Sequence, residues 1–208
     1  IRKNLLKFDD VMNDQRKVVY EQRRELLSSK NINQLFLGML SETINNIIEN
    51  HTSDKDENPI NITGIKNEIK SISGFDIIDY QFLNKEKLLD DLLKGIHNRL
   101  QLKVDLVGAK NFSLIQKQII VQVLDQQWKA HLLNLDQLRQ GIGLRAYAQR
   151  DPLNEYKREA FTMFESMLES VRVNSCRFIT LLEFQNQEEK NNKKSSKSIR
   201  ERLRSKKD

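Results

Sequence analysis

Cysteine, proline and glycine are all scarce in this 208-residue chain, and each shortage removes a class of structure. The single cysteine, Cys176, excludes an internal disulfide and weighs against a structural zinc site, which usually takes two to four thiolates. Two prolines and seven glycines are too few for a turn-rich β fold and leave long helices uninterrupted. No apolar run approaches the roughly 18 residues of a membrane span, and the N-terminus lacks the charged-then-apolar layout of a secretory signal. The expectation is an all-α protein of cytosolic type. Ile1 falls in the middle of a helical pattern, so the chain reads as a segment of something longer.

The glycine-built chemical motifs are missing too. There is no G-x-x-x-x-G-K-[ST] phosphate loop, no G-x-G-x-x-G turn and no G-x-S-x-G elbow, so no catalytic residue and no cofactor is expected in this segment. His51, His97 and His131 lie in a loop and on two different helices, and none has a second histidine at i+3 or i+4 to form a metal pair. Cys176 sits among apolar positions and reads as a buried small hydrophobe. Trp128, the only tryptophan, reads as a core anchor.

Helical periodicity is what the chain has in quantity. Ile1, Leu5, Phe8, Met12 and the stretch Val19 to Leu26 recur at spacings of three, four or seven, with Gln15 and Gln22 in further seam positions. They predict a first helix of about seven turns. Its other faces carry Asp9, Asp10, Asn13, Asp14 and Arg16, read either as solvated surface or as docking surface for another domain. A break over 28–33 precedes a helix marked by Leu35, Phe36, Leu40, Ile44, Ile47 and Ile48, ending near Asn50. HTSDKDENPIN, residues 51–61, is a loop. Ile62, Ile65 and Ile69 predict a short helix, Ser73-Gly74 a turn, and Leu88, Leu92, Ile96 and Leu100 another helix. Residues 31 to about 110 thus form a small helical insert.

From Phe112 on, Ile115, Ile119, Leu124, Trp128, Leu132, Leu135 and Leu138 hold the helical period until Gly141-Ile142-Gly143, where the two glycines are expected to end the helix. Asp151-Pro152 has the order of an N-cap followed by a proline at the first helical position. The second arm runs through Tyr156, Ala160, Phe164, Met167, Val171, Phe178 and Leu182. Two long helices joined by about ten residues predict an antiparallel hairpin. At its tip Leu144, Tyr147 and the basic Arg145 and Arg150 are expected in a loop, an exposed aromatic flanked by cations that makes a plausible contact surface.

The net charge of +6 is a property of the tail. Residues 186–208 hold nine Lys/Arg against four Asp/Glu, leaving residues 1–185 almost neutral. A nucleic-acid-binding helical protein, the rival from another class, calls for basic residues on a folded face and interleaved aromatics. Neither is present. A plain coiled-coil spacer leaves the glycine-flanked loop without explanation.

Two blocks carry a family resemblance. IRKNLLKFDDVMNDQRKVVYEQRRELL (1–27) and LDQQWKAHLLNLDQLRQGIGLRAYAQRDPLNEYKREAFTMFESMLES (124–170) resemble the C-terminal part of the SecA family, the ATP-driven motors of bacterial preprotein export. The pattern RQGI-x-LR-x-YAQ-x-DP-x-x-EYK-x-E is far more specific than any short motif. The resemblance implies that residues 1–30 end a long scaffold helix, 31–110 form a helical wing domain, 111–185 form the scaffold return and two-helix finger, and 186–208 begin a disordered basic linker. It implies ATP and magnesium in the parent motor, with none in this segment. It also implies a place at the cytoplasmic face of the bacterial plasma membrane. The implied partners are a SecYEG-type channel, unfolded preprotein and the nucleotide-binding domains of the parent chain, with the linker read either as attracted to acidic phospholipid or as an inert solvated tail, and no nucleic acid expected.

On that resemblance Leu144, Arg145, Tyr147, Gln149 and Arg150 are the residues expected to contact polypeptide or channel. Asp9, Asp10, Asn13, Asp14 and Arg16 are expected to meet the motor domains. Two departures stand out. Ala146 replaces a glycine common at the tip, and no cysteine-rich zinc motif occurs within the 208 residues, so zinc-assisted binding of the SecB chaperone is not carried over.

Overall fold

The computed structural model describes the backbone of residues 2–52, 60–77, 84–145 and 151–184, and the side chains of these apart from 2–7 and 143–145. Among the described residues there are six α-helices and no multi-residue strand: α1 (Arg2–Ser28), α2 (Ile32–Asn50), α3 (Ile62–Ser73), α4 (Lys85–Val107), α5 (Ala109–Arg145) and α6 (Pro152–Leu181). The all-α class expected from composition is the class observed.

Short polar side chains set the helix starts. The carboxamides of Asn31, Asn61 and Asn84 accept hydrogen bonds from the backbone N–H groups of Gln34 (3.3 Å), Gly64 (2.9 Å) and Lys87 (2.7 Å), supplying acceptors that a first helical turn lacks. Asp151 caps α6 through Leu153 N–H at 3.1 Å, and Pro152 follows at the first position as its fixed φ favours. Gly74 ends α3 in the left-handed region at φ 62°, and Gly108, at φ 84°, alone separates α4 from α5. Thr52 and Ile60 form an isolated antiparallel bridge that closes the loop between α2 and α3.

Of the apolar positions expected in α2, α3 and α4, Leu35 is 40% exposed and Ile62 half-buried, and the others are buried. Phe36, Leu40, Ile44 and Ile48 of α2, Ile65 and Ile69 of α3, and Ile96 of α4 are each at most 2% exposed. They belong to a core that continues into α1, α5 and α6 through Val19, Leu26, Ile120, Leu124, Met167 and Ile179. A second cluster, Leu135, Ile142, Tyr156 and Ala160 with Phe8, Val11, Met12 and Leu138, joins α1 to the far end of the hairpin.

Three expectations are corrected. First, α5 does not stop at Gly141 but runs to Arg145, so Leu144 and Arg145 have helical backbone and only residues 146–151 separate the two arms. The reason is Ile142, 2% exposed in the second cluster. Burying such a side chain is worth about 2 kcal/mol, which offsets the roughly 1 kcal/mol that each of Gly141 and Gly143 costs inside a helix. Second, the seam of α5 runs through Phe112, Gln116, Ile120, Val123, Leu124, Trp128, His131 and Leu135, while Ile115, Ile119, Leu132 and Leu138 flank it, half-buried. Apolar counting passed over His131, which meets Gln15, and Gln116, whose Nε2 donates to Asn33 Oδ1 at 3.3 Å while its buried Oε1 has no protein partner. Third, Phe178 is 52% exposed. Beyond Val171 the buried face of α6 turns to Ser175, Cys176, Ile179 and Thr180, because its neighbours change from α1 to α2 and α3.

Candidate functional site

The antiparallel hairpin of α5 and α6 is the longest feature, and α1 lies against both arms. With a rise of 1.5 Å per residue, the 37 residues of α5 span about 55 Å and the 30 of α6 about 45 Å. Such a lever needs bracing, and a buried polar contact provides it at mid-height. Gln15 of α1 donates from Nε2 to the carbonyl of Ala160 on α6 at 3.1 Å. Its Oε1 then faces Nε2 of His131 on α5 at 2.8 Å, which makes that ring nitrogen the donor. One carboxamide thereby ties three helices together.

The imidazole of His131, 2% exposed, lies between Trp128 and Phe164, with ring centroids 5.6 Å away on each side. Toward the tip, the edge of Phe8 meets Tyr156 at 4.8 Å. At the outer margin Arg139 reaches both Asp9 (3.3 Å) and Asp136 (2.9 Å), and farther back Arg23 pairs with Asp125 at 2.9 Å. These exposed ion pairs are screened by solvent and contribute little to stability. The Gln15 contact is the one that specifies alignment, because a shift of α1 leaves a buried amide without partners.

The structure divides the residues expected to meet other domains. Asp9 is half-buried and engaged by Arg139, so it faces the hairpin. Asp10, Asn13 and Asp14 are exposed on the opposite side, with Lys17 on Asp14 at 3.0 Å and Arg16 on Asn13 at 3.4 Å. Tyr147, Gln149 and Arg150 lie outside the described residues, as do the side chains of Leu144 and Arg145. Gln15 was legible as a seam residue. His131 was not singled out, although its place three after Trp128 and four before Leu135 was a usable signal. Arg139 and Lys117 gave none, since their partners Asp9 and the carbonyls of Leu27 and Ser29 are remote in sequence.

Residues 1–183 match the family described as SecA Wing and Scaffold domain. The chain belongs to the SecA family. Similar curated proteins, each named "Protein translocase subunit SecA", come from Caulobacter vibrioides (37% identical over 192 residues), Granulibacter bethesdensis (39% over 190) and Paraburkholderia xenovorans (36% over 196). The matches cover 88%, 88% and 91% of this chain and 20%, 21% and 21% of the relatives. The chain therefore spans about a fifth of the length of the SecA proteins it matches.

Within this SecA segment burial shifts several ionisable groups away from their ordinary ranges. Burial pushes the His131 imidazole below its ordinary range and the Tyr156 phenol above its own. Cys176, fully buried with Thr43 Oγ1 at 3.7 Å, has its thiol pushed up to about 11 by burial, so it is an inert packing group. Lys103 is lowered by burial and donates to the carbonyls of Thr180 and Leu182 where α6 ends. His51 is hydrogen-bonded to Glu68 at 2.9 Å and His97 is exposed, so the three histidines stand at separate places. No helix of the described residues is long and apolar enough to cross a membrane.

Proposed function

We propose that this chain is the scaffold, wing and finger portion of a protein-translocation motor, coupling ATP-driven motion made elsewhere in the parent to an unfolded preprotein at a SecYEG-type channel. The observation that supports this most is the braced hairpin: a stiff pair of helices can carry displacement along its length only if its base and flank are fixed, and α1 fixes them through Gln15. Residues 1–30 act as scaffold, 31–110 as wing, 111–185 as scaffold return and finger, and 186–208 as a basic linker that meets acidic phospholipid. Leu144, Arg145, Tyr147, Gln149 and Arg150 contact the moving polypeptide or the channel. Asp10, Asn13 and Asp14, with Arg16, face the motor domains, while Asp9 serves the brace. ATP and magnesium bind in the parent's nucleotide-binding domains and none binds here. The working place is the cytoplasmic side of the bacterial plasma membrane, held peripherally.

The tip decides the proposal. An amphipathic ring at residue 147 can lie on apolar groups of a passing chain and donate a hydrogen bond to its backbone, whatever the sequence. Preprotein transport by the full-length protein should therefore be lost in Tyr147→Ala and Tyr147→Ser and kept in Tyr147→Trp, with unchanged melting temperatures. Normal transport in all three variants overturns the contact role.

A further inference from the structure

A cavity of about 370 Å³ lies between the arms of the hairpin, and its lining residues all come from α5 and α6. Gln127, Asn134, Thr162, Ser166 and Ser170 give it uncharged polar groups, and no carboxylate, lysine or arginine lines it among the described residues. His131 of α5 and Met163 and Met167 of α6 border the same space. The two methionines stand at i and i+4, so they share a face of α6. Met167 is 5% exposed and Met163 half-buried.

His131 is held as a metal-binding imidazole is held. Its Nε2–H is committed to Gln15 Oε1 at 2.8 Å, and that carboxamide is oriented in turn by its own bond to the Ala160 carbonyl. The hydrogen therefore sits on Nε2 and the lone pair on Nδ1, which has no hydrogen-bond partner among the described residues. In metal sites one ring nitrogen donates to a fixed oxygen, which sets the tautomer, and the other coordinates. Burial also keeps this ring neutral, so protons do not compete for the lone pair at neutral pH. The histidine spacing that argues against a metal pair does not bear on thioethers.

We propose that His131 Nδ1 and the thioether sulfurs of Met163 and Met167 form a site for a soft monovalent cation, Cu(I) or Ag(I). Thioethers select that class, whereas zinc, magnesium and calcium call for thiolates, carboxylates or further imidazoles that the cavity lacks. A single positive charge is also the least costly to place where no anion compensates it. Methionine has three rotatable bonds, so both sulfurs can close on an ion without moving the helices. Bound there, the ion joins α5 to α6 at the height where Gln15 ties both to α1. This inference does not rest on the transport reading.

Metal titration of the 208-residue chain tests it, in a Cys176→Ala background that removes the only thiol. Ag(I) is added in chloride-free buffer, and Cu(I) without oxygen against bathocuproine disulfonate as competing chelator. Trp128, the only tryptophan, has its ring centroid 5.6 Å from that of His131, so its fluorescence reports the site. Quenching should saturate at a single equivalent, and the melting temperature should rise. Gln15→Ala, which removes no ligand, should weaken binding by about 10- to 100-fold through loss of the fixed tautomer. Met163→Leu, which conserves volume, should weaken it at least as much, and Met163→Leu with Met167→Leu should abolish it. Met12→Leu and Met39→Leu, away from the cavity, should bind as the unaltered chain does. Circular dichroism checks that each variant keeps its helices, and where the double variant has lost them Met163→Leu alone decides. Absence of binding overturns the proposal. So does binding that persists unchanged in the leucine variants, which assigns the ion to adventitious surface groups. Equal affinity in Gln15→Ala removes His131 from the ligand set, and equal quenching by zinc removes the preference for a soft ion; either result also overturns the site as proposed.

Discussion

The two ends of the hairpin are packed on different principles. Away from the tip, α6 meets α2 and α3 over an apolar core in which Phe36, Leu40, Ile44, Ile48, Ile65, Ile69 and Ile179 are all at most 1% exposed. Toward the tip, α1 meets the arms over a smaller cluster, set beside a buried carboxamide and imidazole. Apolar burial supplies most of the free energy but is non-directional, so an aliphatic core tolerates small sliding of one helix on another. Buried hydrogen bonds add little net free energy, yet their loss is costly and their geometry narrow. The apolar core around α2 and α3 thus holds the molecule together, and the Gln15 contact sets where along the hairpin α1 sits.

That contrast can be broken experimentally. The largest effect belongs to the core around α2 and α3, where Phe36→Ala should destabilise the chain by about 3 to 5 kcal/mol in denaturant unfolding. A loss no greater than that of Gln15→Ala would erase the distinction. Gln15→Ala should cost about 1 to 3 kcal/mol, by leaving the Ala160 carbonyl and the His131 N–H without their partner. This end also carries a pH signature absent from an aliphatic core. Because burial holds His131 below its usual 6.5, the unfolded chain takes up a proton as pH falls through 6.5 while the folded chain does not. Its contribution is therefore constant above about pH 7 and declines on acidification toward the folded value. The fall in melting temperature between about pH 7.5 and pH 5.5 should be smaller in His131→Gln than in the parent chain, and equal slopes would remove histidine from the account. The smallest effect sharpens the tip. Since Gly141 is helical and a Cβ there would meet nothing within 4 Å, Gly141→Ala should stabilise the chain by roughly 0.5 to 1 kcal/mol. A destabilised variant would restore a helix stop at that position.

Much of this was legible in sequence because helical period and capping are local. The ends of α2 and α3 and the start of α6 follow from spacing, Asn50, Gly74 and Asp151-Pro152, while α2 begins at Ile32, inside the break expected over 28–33. Where local signals failed, they competed with burial. Gly141 and Gly143 carry the composition of a stop, and burial of Ile142, which stands between them, in a cluster shared with Tyr156 and Ala160 of the other arm overrides them. Phe178 has the spacing of a seam residue, but the seam rotates when the neighbouring helix changes. The polar cluster on α1 was visible as a cluster, and its division between Asp9 and the exposed Asp10, Asn13 and Asp14 was not, because the division depends on where Arg139 lies.

The sequence by itself determined the all-α class, the order of the helices, the antiparallel hairpin and, through residues 1–183, the SecA family. These depend on periodicity, caps and the identity of neighbouring residues, all of which act over a few positions. Only the tertiary structure decided that His131 is a structural partner of Gln15 and that α5 continues past its glycines. Each of these is a contact between residues scores of positions apart, and what burial does to a side chain is set by the neighbours that reach it in space.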